Sequence, residues 1–441
     1  MDFTRTNELG RRLRELVPGG GHTYAKGPDQ YPALSPSVLA RGRGSHVWDV
    51  DGNEFVEYGM GLRAVSLGHA YGEVVQAVAR ALDLGTNFTR PAAIEVECAE
   101  RFCASIPSAE AVKFTKDGST ATSAAVKLAR KATGRARVAI CADQAFFSYD
   151  DWFMVTTTMA GGIPAGVAAQ TVTFRYNDLT SVEEMFDRYP DEIAAVMLEV
   201  TRATAPQQGF LEGVRSLCDR NGAVLVFDEM ITGFRYADGG AQAQYGVSPD
   251  LSTFGKALSN GFSLAALCGR RELMRYGSRE RSGDDVFLLS TTHGAETTAL
   301  AAAIAVMDIY EREPVVSRLY EQGDKLATGL RALSEQHGLT DYVGPIGLGC
   351  DLAFFTRDAD GQPSQAFRTL FLQETIRRGV LMPSLVTSYS HSDADVQLTL
   401  RAIDGALDVY AKALVDGTEP FLVGPPSRYV FDRVWDRPAP V

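Results

Sequence analysis

"VLVFDEMITGFRYADGGAQAQYGVSPDLSTFGKALSNG", Val224 to Gly261, is the stretch whose reading decides the fold. It opens on an unbroken apolar run that ends in two acids, Asp228 and Glu229. A short continuous apolar run of this kind reads as a strand buried on both faces. Lys256 stands 28 positions beyond Asp228, among the small residues Gly255, Ala257 and Gly261. Ligands of open parallel sheets gather beyond the carboxyl ends of the strands, so the two acids fall where a site forms.

Working outward, "RVAICAD" and "IAAVMLEV" repeat the buried-strand pattern. "AYGEVVQAVARALDLG" and "SAAVKLARKATG" have helical spacing, and each stops at a glycine. Strands alternating with helices from about residue 70 to 310 predict an α/β unit with a mostly parallel sheet covered on both sides. "SHVWDVDGNEFVEY" predicts a β-hairpin turning at Asp51-Gly52. "TTALAAAIAVMDIYERE" is a long Ala-rich helix leading toward a second domain, where "RLYEQGDKLATGLRALSEQHG", "GCDLAFFTR" and "ADVQLTLRAIDGALDVYAKAL" mix helix and strand. The division expected is an N-terminal segment at 1–65 that joins the smaller domain, a large domain at 66–311, a smaller α+β domain at 312–415 and an extended tail at 416–441.

The chain of 441 residues suits a large domain with smaller companions, at 45% apolar and 22% charged residues. Its net charge of −12 argues against nucleic-acid and anionic-membrane partners, both of which need a basic footprint. No stretch approaches a membrane span, and "MDFTRTNELGRRLRELV" is a charged amphipathic pattern rather than a signal peptide. Six scattered cysteines without a CxxC pair predict neither a zinc site nor a disulfide framework, and no metal is expected. A thiol-reduced, cytoplasmic enzyme of small molecules is the reading that follows.

The acids after the Val224 run allow two chemistries. One is an Mg²⁺-holding acid of an ATPase, which needs a phosphate loop of the form GxxxxGK followed by Ser or Thr. "GGGHTYAKG" (19–27) has Gly after its lysine, and Lys256 is followed by Ala. A P-loop ATPase remains the alternative from another class. The other chemistry is a carboxylate held against the protonated nitrogen of a pyridine ring. It predicts a downstream lysine as Schiff-base former, whose neutral amine is favoured by low solvation, and a separate phosphate cradle. Lys256 supplies the first. "KDGSTATSAAVKLARKA" supplies the second, since Gly118, Ser119 and Thr120 open a helix where free N–H groups favour an anion.

With these features in this order, the chain resembles the class III (fold type I) pyridoxal-phosphate-dependent aminotransferases. Within them "PGGG", "WDVDGNEFVEY", "SLGH", "KDGSTATSAAVKLAR" and "GGAQAQYGVSPDL" look most like the glutamate-1-semialdehyde aminomutases. The resemblance implies a large domain with a mostly parallel seven-stranded sheet flanked by helices, plus a smaller α+β domain. It implies pyridoxal 5'-phosphate held by Lys256 as Schiff-base lysine, with Asp228 on the ring nitrogen and Gly118, Ser119 and Thr120 around the phosphate. Phe146 falls where relatives stack an aromatic on the ring, and Glu199 joins the cofactor-binding set. Thr291 matches a threonine that reaches the phosphate of the other subunit, so a homodimer with shared active sites is implied.

Around this machinery the chain departs from the resemblance. Thr23 stands at a serine and Lys26 at an arginine for the substrate carboxylate, an exchange that loses the two-pronged grip. "DGST" replaces SGTE, Val200 and Thr204 replace a proline and an asparagine, and "THGAET" replaces a Ser-Gly-Asn-Pro stretch. Thr23, Tyr24, Lys26, Asp150, Asp151, His293 and Glu296 are the candidate substrate residues. With the acidic net charge they suggest amino transfer from a donor to an aldehyde or ketone of a carbohydrate or aminoglycoside-type acceptor. The alternatives are a glutamate-1-semialdehyde 2,1-aminomutase, or an epimerase or dehydratase on the same scaffold.

Overall fold

A computed structural model describes residues 1–144, 146–201, 203–278 and 285–430. The described chain forms two compact units, one of Met1–Tyr71 with Ser317–Val430 and the other of Gly72–Val316.

The larger unit is built on seven strands: β1 Ala111–Thr115, β2 Arg137–Cys141, β3 Thr171–Phe174, β4 Ile193–Leu198, β5 Val224–Asp228, β6 Leu251–Phe254 and β7 Ala265–Gly269. Their order across the sheet is β1-β7-β6-β5-β4-β2-β3. Every pairing is parallel except the two made by β7, which runs antiparallel to β1 and β6. Strands β4 to β7 are buried along their whole lengths, as continuous apolar runs require. Strand β6 reads "LSTF" and is polar at its centre. The Ser252 and Thr253 hydroxyls are satisfied internally, by Ser108 (3.2 Å) and by Asp228 (3.1 Å) respectively.

Helix Gly118–Thr133 lies across β4, β6 and β7. Asp117 caps its start by accepting from Thr120 N, and Gly134 ends it at φ 69°. Helix Thr297–Arg312 packs on helices Gly72–Leu84 and Ala93–Ser105. Phe102 bridges helix and sheet, edge-on to Phe114 and Phe254. Gly233 is fixed by this packing, because a Cβ there would lie 2.4 Å from the Phe254 ring.

In the smaller unit, Leu39–Arg43, His46–Asp49 and Glu54–Glu57 form an antiparallel meander, and Val380–Leu381 adds in parallel to its last strand. The hairpin expected at Asp51-Gly52 forms, with Gly52 at φ 90°. Helices Gln365–Arg377 and Asp393–Asp416 pack together over a core that includes Tyr58, Leu330, Phe354, Phe371 and Tyr410. The C-terminal segment is docked rather than loose as far as it is described. Ser427 is buried, and its N–H and hydroxyl each meet Thr369 Oγ1 at 2.9 Å. No helix among the described residues is long and apolar enough to cross a membrane.

Candidate active site

Asp228 ends β5 and is 2% exposed. Its Oδ1 accepts from Met230 N (2.9 Å) and Thr253 Oγ1 (3.1 Å), while Oδ2 accepts from no described residue. Burial, reinforced by the nearby charge of Glu199, pushes its carboxyl up to about 7, and the Lys256 ammonium opposes that rise. Two donors on one oxygen do not offset the desolvation of this carboxylate, so it either keeps its proton or pairs with a cation at Oδ2. A protonated ring nitrogen is such a cation.

The adjacent Glu229 has the opposite circumstances. It is fully buried, and its two oxygens accept from Thr232 Oγ1, Ala241 N (2.9 Å) and Gln242 N (2.8 Å). Burial raises this carboxyl too, but its lone pairs are used to fold the 232–242 segment. Gly240, at φ 80°, leaves room for it, since a Cβ there would stand 2.9 Å from the carboxylate oxygens. Of the two neighbouring acids, one is structural and the other is open to a ligand.

Lys256 follows β6 by two residues and starts a 3-10 turn that runs to Ser259. Its φ of 45° places a non-glycine residue in the left-handed region. Such strain costs on the order of 1–3 kcal/mol and concentrates at functional sites. The side chain is half-buried. A Cβ on Gly255 would come within 2.7 Å of Met230 Sδ, and one on Gly118 within 2.9 Å of the same sulfur. The residue before the lysine, the start of the phosphate cradle and the loop after Asp228 therefore meet around one methionine.

Ser119 is buried and Thr120 partly so. Ser119 Oγ accepts from Tyr149 N (3.1 Å), and Thr122 Oγ1 donates to Phe147 O (2.9 Å). Ser123 Oγ receives Trp152 Nε1 (2.8 Å), meets Ser148 Oγ (3.2 Å) and donates to Asp150. Three side chains of the cradle helix thus staple the aromatic segment 146–152 to it. Phe146 is 46% exposed with its ring edge-on to Phe153. Glu199, just past β4, is 2% exposed, and its backbone is clamped by the Gln144 amide through bonds of 2.7 and 2.6 Å. Gln144, Met230, Ser123 and Thr253 were not singled out from sequence. Met230 and Thr253 lie within the Val224–Gly261 stretch and Ser123 within the helix opened by Gly118, and that placement is the signal that could have found them.

The remaining candidates lie elsewhere or carry other duties. Asp150 accepts from Ser123 and precedes the short helix Asp151–Met154, on which Asp151 is exposed. Glu296 caps helix Thr297–Arg312 and pairs with Lys116 Nζ at 2.9 Å. Burial works against its charge, but the bonds from Thr298 and Lys116 hold its carboxyl below the ordinary range. Thr291 is exposed and borders a cavity of about 650 Å³ with Phe88 and Arg90, which none of Asp228, Lys256 and Gly118–Thr120 borders. His293 is exposed beside it, 3.4 Å from Asn87 Nδ2. Thr23, Tyr24 and Lys26 are exposed residues of the smaller unit, and Thr23 and Lys26 border a cavity of about 1190 Å³ there. Among the described residues no group of three or more His, Cys, Asp or Glu is placed to hold a metal.

The larger unit thus presents a buried anion with one open oxygen, a lysine after the neighbouring strand, a helix N-terminus and an exposed aromatic. These residues could hold pyridoxal phosphate, with the ring nitrogen against Asp228, the carbonyl carbon at Lys256 and the phosphate at the helix start, where the Asp117 carboxylate already takes the Thr120 N–H and hydroxyl. Comparison with known proteins agrees. The model of the family described as aminotransferase class-III matches residues 28–387. The chain is 32% identical over 421 residues to the glutamate-1-semialdehyde 2,1-aminomutase of Desulfitobacterium hafniense (strain Y51), covering 90% of this chain and 96% of that one. It is 34% identical over 433 residues to the enzyme of the same name from Syntrophomonas wolfei, covering 92% and 98%. Among solved structures, the PLP internal aldimine form of the Sphingopyxis sp. MTA144 FumI protein superposes with a TM-score of 0.85 at 28% identity, covering 93% of this chain and 98% of that one.

Proposed function

The chain belongs to the class-III aminotransferase family and uses pyridoxal phosphate, and from that membership we propose that it moves an amino group between two carbons of one substrate, as an aminomutase. The meeting of Gly118, the residue before Lys256 and the loop after Asp228 around Met230 supports the cofactor chemistry on which the proposal rests. The names of the two curated relatives favour transfer within a molecule over transfer to a separate acceptor.

Bound pyridoxal phosphate supplies an electron sink for a carbon that has lost its proton. Asp228 Oδ2 keeps the ring nitrogen protonated, and its buried setting makes that pairing strong. Lys256 Nζ would hold the resting cofactor and, when not so bound, would serve as the base that takes a proton from one substrate carbon and returns it to the next. Phe146, exposed on the segment bonded to helix Gly118–Thr133, would shield one face of a bound cofactor from water. The protein acts as a homodimer, a reading supported by the exposure of Thr291 on a cavity apart from its own subunit's cofactor residues. Six free cysteines, five of them buried, support a reducing, cytoplasmic setting.

A second reading is supported by Lys26. It stands exposed at the end of a 3-10 turn where the resemblance expects an arginine for a carboxylate. This favours transfer from a separate donor to a carbohydrate or aminoglycoside-type carbonyl. One experiment decides between the two. The loaded enzyme is given glutamate 1-semialdehyde alone, or a panel of carbonyl carbohydrates with an ¹⁵N-labelled amino donor, and products are followed by liquid chromatography and mass spectrometry. An isomer of unchanged mass from the semialdehyde alone is the expected result. Label appearing only in aminated carbohydrate would replace the aminomutase by the second reading.

A further inference from the structure

In a chain of net charge −12, the 1190 Å³ cavity of the smaller unit is bordered by Arg11, Arg14, Lys26 and Arg428. None of these four side chains has an ion-pair or hydrogen-bond partner among the described residues. Elsewhere the protein pairs its arginines readily: Arg215 with Asp219 and Asp250, Arg312 with Glu73, Arg137 with Glu192. Two carboxylates border the same cavity, Asp29 and Glu57. Glu57 is already engaged, since both of its oxygens accept from Met60 N at 2.8 Å and Oε2 lies 3.1 Å from His69 Nε2. An acidic protein that leaves four cations unpaired around one space is spending electrostatic repulsion there.

The backbone that carries these cations is held in place. Arg11 and Arg14 are three positions apart on helix Thr4–Leu16 and share a face. Lys26 closes the 3-10 turn Tyr24–Lys26. Arg428 comes from the far end of the chain and is fixed to the same loop, its N–H donating to Asp29 O at 2.8 Å. The buried Ser427 anchors that crossing on Thr369, and Val423 N is bound by Gln373 Oε1 at 2.8 Å. All four cations lie outside residues 28–387, the span that the family model matches.

We infer that this cavity is a binding site for a phosphate-bearing small molecule of at least two negative charges, a phosphate ester or a diphosphate. Three guanidinium forks and an ammonium call for more charge and more acceptor oxygens than one carboxylate provides. The volume exceeds what a lone ion fills and suits a ligand of nucleotide size.

Inorganic pyrophosphate is the probe, titrated calorimetrically into the pyridoxal-phosphate-loaded protein so that the cradle at Gly118–Thr120 is already filled. Glutarate is the dicarboxylate comparator. Pyrophosphate is expected to bind at least about tenfold tighter than glutarate and to weaken as sodium chloride is added. Arg14→Ala and Arg428→Ala, both at exposed positions, should each weaken binding by about tenfold or more, as should a chain ended after Gly424. The visible cofactor band should be unchanged in all three. Absence of pyrophosphate binding, binding indifferent to these changes, or equal binding of glutarate would each overturn the inference.

Discussion

Asp228→Asn in the cofactor-free protein tests the electrostatics of the site without relying on turnover. The native carboxyl sits at about 7 against an ordinary 3.8, chiefly through burial. Because the folded value is the higher one, the folded state holds its proton more tightly than the unfolded chain. Stability is therefore lost as pH rises from about 4 to 7, and at pH 8 the loss is complete, about 4 kcal/mol at about 1.4 kcal/mol per unit. Asparagine has the same shape, keeps an oxygen for Met230 N and Thr253 Oγ1, and carries no charge to desolvate. The variant should accordingly exceed the native apoprotein by about 4 kcal/mol at pH 8 and by about 2 kcal/mol at pH 5. Urea unfolding of both apoproteins at the two pH values measures this. Adding pyridoxal phosphate should narrow or reverse the difference, because only the aspartate gains a cationic partner. A variant no more stable than the native chain at pH 8, or an advantage that does not change with pH, would refute the reasoning.

Gly255→Ala should weaken cofactor binding by about 1–3 kcal/mol, as overpacking does, because its Cβ would press on Met230 Sδ at 2.7 Å. Adding Met230→Ala should restore much of that loss, as read by the visible absorbance titrated with pyridoxal phosphate. Ser123→Ala strips the partner from the buried Trp152 indole N–H and releases Asp150. Its expected cost is about 1–3 kcal/mol of stability, with a shift in tryptophan emission and a weaker hold on the cofactor. Lys116→Met removes the cation that pairs with Glu296. The Glu296 carboxyl, held low by that pair and by Thr298, should then titrate at higher pH, seen by NMR of a carboxyl-labelled sample.

The parts of the sheet that could be read directly were those made only of apolar residues. Strands β4 and β5, "IAAVML" and "VLVFD", announce burial on both faces, and the end of β5 points straight to Asp228. Strand β6 hides because "LSTF" is as polar as a loop, and only its partners Ser108 and Asp228, distant in sequence, make its hydroxyls affordable inside. The antiparallel run of β7 depends on pairing with β1, some 150 positions earlier, which no local pattern encodes. The helix start at Gly118 was legible through its glycine and hydroxyls, whereas the duties of the acids were not. Asp228 and Glu229 are neighbours of like chemistry, and only the fold shows that Thr232, Ala241 and Gln242 consume one of them. Asp150 and Glu296 read equally well as substrate contacts, yet Asp150 accepts from Ser123, and Glu296 is engaged by a helix start and by Lys116. The substrate stays the least legible part, because an exchange such as Lys26 for arginine names what was lost rather than what is bound.

The central claim is that Lys256 carries pyridoxal phosphate beside Asp228. It is tested most directly by borohydride reduction of the loaded protein followed by peptide mass mapping. A single pyridoxyl phosphate adduct on Lys256 is expected, with loss of the visible band, and neither band nor adduct at this peptide in Lys256→Ala. An adduct on another lysine, or a protein that takes up no cofactor, would contradict it.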